Sequence, residues 1–187
     1  NNYAITPVNG TYTIVPVGQL LVRVNNVTTT YGDTPTYVVS SAKYMTQDAV
    51  NGPAIAITDL TAQGFVSVNG AQVTVVDANA LPTGVFDLGA VNASLSTAGH
   101  LRAGSYNLGA TMVSRSTDDF DNTIHVVGAH QVNVKPLSVT AGGLTKVYDG
   151  NSNMSNLTLT PVGLVTPVAT PDVVNVTGVG TYADKNV

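Results

Sequence analysis

Cysteine, tryptophan and glutamate are absent from the 187 residues. Without cysteine there is no disulfide, no thiolate nucleophile and no thiolate metal ligand. The fold must therefore rest on its apolar core, and a chain of this length can bury one. With no glutamate and three histidines, the usual catalytic sets are thin. Charge of either sign is also scarce. Only 10% of residues are charged, against about 25% in ordinary soluble domains. Seven bases against eleven acids give a net charge of −4. No basic stripe exists to neutralise phosphates, so nucleic acid is not an expected partner. No apolar run approaches the roughly 18 residues of a membrane-spanning helix.

What the chain does contain is 31 valines, 25 threonines and 17 asparagines. Valine and threonine branch at Cβ, which stiffens χ1 and suits a pleated, half-buried surface. Long straight-chain helix formers are few. The expected fold class is mostly β, with at most one or two short helices. A surface made polar by Thr, Ser and Asn rather than by charge points to an extracellular location.

A strand-turn-strand junction occurs twice. The first copy runs Tyr12 to Pro16, then Leu20 to Val24, then Asn26 to Tyr31-Gly32-Asp33. The second runs Val132 to Pro136, then Leu137 to Ala141, then Gly143 to Tyr148-Asp149-Gly150. Leu20 and Leu137 are 117 residues apart, as are Tyr31 and Tyr148. A junction repeated at a fixed interval marks a tandem array. The expected division is 1–19 as the closing hairpin of a preceding module, 20–136 as a central β module, and 137–187 as the start of another. Chain ends that fall inside repeat pieces suggest a segment of something longer.

Local signals fill in the modules. Asn9-Gly10 and Asn69-Gly70 are two-residue hairpin turn signals. Around the second, the reading pairs Val68 with Ala71 and Val66 with Val73. Ser41 to Val50 is the best helix candidate, with Ala42, Met45 and Ala49 on one face. Val85 to Leu95, Ser105 to Ser114 and Asp172 to Thr177 read as strands. Thr123 to Val127 and Gln131 to Lys135 read as a closing hairpin. Pro16 and Pro136 cannot donate to a ladder and should end their strands.

The segment Asn2 to Pro16 resembles the end of an MBG ("mostly beta-grasp") repeat, and the region around Tyr31-Gly32-Asp33-Thr34 resembles the start of one. Lys146-Val147-Tyr148-Asp149-Gly150-Asn151 and Gly180 to Val187 resemble the two signatures of a YDG repeat. Such repeats are found in filamentous-haemagglutinin-like bacterial surface adhesins. The resemblance implies a β-grasp-like or sandwich-like module, a stalk or surface role in cell adhesion or biofilm matrix, export by two-partner secretion, and no catalytic residues.

Few side chains suggest chemistry. Asp118, Asp119, Asp121 and Asn122 place four oxygen-bearing side chains in five residues, the raw material of a calcium loop. They lack the usual Asp-x-Asp-x-Asp-Gly spacing, and a solvated loop is the expectation. No other cofactor is implied. His125 and His130 lie near Asp121 on opposite sides of a predicted turn, with no third zinc ligand close in sequence. No Gly-x-Ser-x-Gly elbow occurs. Tyr31 and Tyr148 recur at one module position, which favours packing over ligand binding. Asn-x-Ser/Thr sequons sit at Asn9, Asn26, Asn92, Asn153, Asn156 and Asn175. The expected function is a non-catalytic stalk or surface segment on the bacterial cell surface, partnered by neighbouring modules or other copies of itself. The rival readings are a filament subunit that exchanges strands and a carbohydrate- or protein-binding lectin-like domain, with host or matrix glycans as partners.

Overall fold

A computed structural model describes residues 15–45, 57–142, 145–154 and 157–184. Among the described residues twelve strands follow one another and no helix occurs: β1 Leu20–Val24, β2 Val27–Thr30, β3 Val39–Met45, β4 Ile57–Asp59, β5 Val66–Asn69, β6 Gln72–Val76, β7 Pro82–Ala90, β8 Gly104–Arg115, β9 Ile124–Val127, β10 Ala129–Asn133, β11 Ser138–Gly142 and β12 Thr158–Val162. The mostly-β expectation holds. The chain divides into two compact units. The first comprises 1–27, 35–91 and 107–130; the second comprises 28–34, 92–106 and 131–187.

The first unit carries two sheets. One has the order β4-β3-β1-β9, and the other runs β5-β6-β7-β8 within this unit. β1 lies antiparallel to β3, with Val22 opposite Ala42. On its other side β1 lies parallel to β9, with Leu20 opposite Ile124 and Val22 opposite Val126. Strict alternation makes this possible. Leu20, Val22 and Val24 point inward while Arg23 faces solvent. They join Ala42, Tyr44, Val73, Val75, Phe86, Leu88 and Leu108 in one core. Each fully buried Val, Leu or Phe contributes about 1.5–3 kcal/mol. Phe120 closes the cluster against Tyr44, ring centroids 5.7 Å apart.

Three local expectations are corrected here. Residues 41–45 are strand, not helix; 46–50 lie outside the described residues. Ala42 and Tyr44 alternate inward while Lys43 pairs with Asp59 across the ladder at 2.9 Å, so pairing with β1 overrides a short helical pattern. The β5–β6 hairpin forms, but Val68 faces Val73 and Val66 faces Val75. The turn residues are Gly70 and Ala71, with Gly70 at φ +62°, the first central position of a type II′ turn. A shift of two keeps every side chain on its expected face. The predicted closing hairpin does not exist, because β9 and β10 belong to different sheets. Gly128 is the crossover. A Cβ there would lie 2.7 Å from the Val24 carbonyl oxygen, so only glycine lets the chain pass so close.

In the second unit, β2 neighbours β10, and the Tyr31 amide donates to the Asn133 carbonyl at 2.8 Å. β11 and β12 form a two-stranded antiparallel sheet with Val139 opposite Pro161. The expected strand at 172–177 is not paired in a ladder. It includes Val173 and Val174, both exposed, and without buried alternation nothing fixes a partner.

Candidate functional site

The link between β7 and β8 is a small hairpin of its own. Leu95 bridges Leu101, and the Ser96 amide donates to the His100 carbonyl at 2.8 Å. Gly99 takes the left-handed conformation at φ +83° that its turn requires. The tip residue Ala98 is fully buried. This tip grips the chain at 166–172. The Val168 amide donates to the Ala98 carbonyl at 2.8 Å, the Ala98 amide to Asp172 Oδ1 at 2.9 Å, and Thr170 Oγ1 to the Thr97 carbonyl at 3.1 Å. His100 Nε2 lies 2.8 Å from the Thr166 carbonyl oxygen.

Tyr31 completes the arrangement. Its hydroxyl donates to Asp172 Oδ2 and lies 2.5 Å from Ser96 Oγ. Its ring meets the His100 imidazole edge-on at 5.8 Å. Gly32 leaves room for Val165, whose Cγ1 a Cβ at that position would strike. Burial, then the bond to Asp172, holds the Tyr31 hydroxyl above its ordinary pKa. The Tyr31 bond, aided by the Ala98 amide, holds the Asp172 carboxyl below its own. A cleft of about 500 Å³ opens beside this network, lined by Tyr31, Ser96, Arg102, Lys135, Asp172 and Val174 among others.

Serine, histidine and aspartate thus do converge, but around a tyrosine. His100 turns Nε2 to a backbone carbonyl, and the Ser96 hydroxyl contacts Tyr31. A nucleophile needs its base within hydrogen-bond reach, and these groups are committed to holding loops together.

A second cluster explains the Lys146-to-Asn151 motif. Lys146 Nζ lies 2.7 Å from Asp149 Oδ1, 2.8 Å from the Asn151 carbonyl, 2.9 Å from Asn151 Oδ1 and 2.9 Å from the Asn153 carbonyl. An ammonium has three protons for these four oxygens, so its coordination is filled. Gly150 at φ +76° turns the chain around it. The Lys146 bond, then the Asn151 amide, keeps the Asp149 carboxyl below its ordinary pKa. The Tyr182 ring centroid lies 5.7 Å from the ammonium. The two YDG-like signatures therefore meet. The Met154 amide donates to the Gly180 carbonyl at 3.0 Å, and the Tyr182 amide to the Ser152 carbonyl at 2.8 Å.

The acidic loop is organised by an organic cation. Arg115 Nε donates to Asn122 Oδ1 at 3.1 Å, and its Nη1 donates to the carbonyls of Thr117 and Phe120. Asp118 lies 3.7 Å from Nη1. Asp119 accepts from Thr117, and Asp121 from the Thr123 amide. Among the described residues no three His, Asp, Glu or Cys side chains gather as a metal site. His125 bonds Gln19 at 2.6 Å, whereas His130 is buried edge-on to Tyr37 at 6.3 Å.

The remaining candidate residues are dispersed. Tyr31 packs, but its repeat partner Tyr148 is 61% exposed, against the expectation that both pack. Asp33 Oδ2 accepts from the Thr30 amide, while Pro16 and Pro136 are exposed. Asn26, Asn92, Asn153 and Asn175 are exposed sequons, Asn92 at φ +52°. Asn9 and Asn156 lie outside the described residues. Ser96, Asp172 and Lys146 carry the unit's polar structure without having stood out as candidates. For Lys146, the tight Lys-x-x-Asp-Gly-Asn spacing was the available signal.

Residues 133–187 match the YDG domain family. No curated protein and no solved structure matches the chain.

Proposed function

We propose that this chain is a structural segment of a large secreted bacterial surface protein of the filamentous-haemagglutinin-like kind, and that it works as a stalk without catalysis. The observation that carries this reading is the make-up of the second unit. Its YDG-matching stretch is held by two segments from far upstream, 28–34 and 92–106. Successive repeats joined through Tyr31, Ser96 and Asp172 resist bending at their junction, which is what a stalk needs. Sparse charge and a Thr- and Asn-rich surface are consistent with an exported protein.

The absence of cysteine makes the test direct, since labels can be placed on engineered cysteines alone. Thr34→Cys and Thr160→Cys, both on exposed positions, give one narrow distance distribution by pulsed electron spin resonance. Four Gly-Ser residues inserted between Lys135 and Pro136 broaden it. A distribution that is broad before insertion, or unchanged after it, removes the stalk reading. Saturable binding on a glycan panel would favour the lectin-like reading, with the 500 Å³ cleft as its place.

A further inference from the structure

β1 and β11 occupy one position of the repeat, since Leu20 and Leu137, and Val22 and Val139, are each 117 residues apart. Their ladders agree in phase. In the first copy Val22 faces Ala42. The Ala42 amide donates to Thr61 Oγ1, and its carbonyl accepts from the Leu60 amide. Val22·Ala42 is therefore a pair without mutual hydrogen bonds. In the second copy Val139 faces Pro161, which has no N–H to give, and proline sits in a ladder where its nitrogen faces outward. Leu20, Val22 and Val24 turn their main-chain groups to the far side of β1. There the Leu20 amide donates to the Thr123 carbonyl, and β9 runs parallel. Leu137, Val139 and Ala141 must likewise turn theirs to the far side of β11.

That side of β11 has no partner strand among the described residues. Its side chains are open as well. Leu20 and Val22 are 0% exposed, whereas Leu137 and Val139 are 39% and 47% exposed. Edges that should stay unpaired are blunted by charge, proline or a bulge. Pro161 blunts the outer edge of β12. Ser138-Val139-Thr140-Ala141-Gly142 has no charge and no proline, and a two-stranded sheet by itself is marginal in water.

We propose that the open edge of β11 accepts a strand of the β9 type in parallel, supplied by a further repeat of this kind. Its recognition chemistry is an extended, uncharged segment with β-branched residues at alternate positions, docked as Ile124 and Val126 dock on Leu20 and Val22. The main-chain ladder supplies affinity, and the open apolar face selects the side chains. This rests on strand geometry and the repeat rather than on the stalk reading, and its test reads neither label distances nor glycans.

The probe is a fluorescent peptide of residues 122–129 added to the full chain. Saturable anisotropy change is expected, together with new amide protection at Val139 and Ala141. Val139→Pro removes only an outward donor, because that residue gives no bond to β12. It should leave thermal unfolding of the first unit unchanged and weaken peptide binding about tenfold or more. If that variant misfolds, a peptide with Ile124→Asp and Val126→Asp, read on the unaltered chain, must lose the same affinity. No binding, or equal binding by the altered partners, overturns the proposal. Protection of Val139 that rises with chain concentration and does not respond to the peptide assigns the edge to another contact between copies and also overturns it.

Discussion

The hydroxyl of Tyr31 donates to the carboxylate of Asp172, 141 residues further along the chain. That carboxylate also accepts the Ala98 amide, so one aspartate ties three distant segments. Tyr31→Phe should lower the melting temperature by about 2–4 °C, the scale for losing a hydrogen bond worth about 1 kcal/mol in a chain of this size. Amide exchange should quicken at Ala98 and Val168 while the β6–β7 ladder keeps its protection. Uniform loss across both units would refute a local clasp.

Lys146→Met should leave the Asn151 and Asn153 carbonyls without their donor. Exchange at Met154 and Tyr182 should then become fast. Arginine at this position should not restore protection, since a planar fork cannot replace a compact ammonium surrounded by oxygens. Full rescue by arginine would reduce the cluster to simple charge pairing.

Gly128→Ala should cost about 1–3 kcal/mol through overpacking, because the added methyl meets the Val24 backbone oxygen at 2.7 Å. Urea midpoints measure this. A neutral effect would mean that the crossover can shift.

Acid should destabilise the protein in two steps. Burial holds the His130 imidazole below its ordinary pKa. The unfolded chain binds that proton near pH 6.5 while the folded chain does not, so stability is full above about 6.5 and falls as pH drops below it. The carboxyls of Asp59, Asp77, Asp149 and Asp172 are held below their ordinary values. Their contribution is present above about pH 3.9 and is lost as pH falls through their lower folded values. Urea midpoints across pH 3–8 should show both steps, and His130→Gln should flatten only the upper one.

Much of the sheet architecture was legible because alternation is local. Leu20-Leu21-Val22-Arg23-Val24 and Gln72 to Val76 declare their buried faces in five residues each. The β5–β6 hairpin was legible but its register was not, since Asn-Gly and Gly-Ala turns at this site place the same valines on the same face. Residues 41–45 misled because Ala42 and Met45 satisfy a helical spacing, and only β1 alongside decides for Tyr44. Gly128 reads as a turn in sequence, yet close approach to Val24 makes it a crossover. The network of Tyr31, Ser96 and Asp172 left no trace, because contacts across 65 and 141 residues have no local period.

The parallel pairing of β1 with β9 has a consequence under tension. Leu20 opens one end of that ladder and Val127 closes the other, so a pull along the chain slides the two strands past each other. All of their hydrogen bonds then carry the load together, and they must break nearly at once. β11 and β12 are joined the other way, with Ser138 beside Val162 at a single end. The same pull peels them one bond at a time, at far lower force. A chain pulled at Leu20 and at Val162 should first surrender β11–β12 and pause, with the β1–β9 shear clamp intact until a second, much higher rupture.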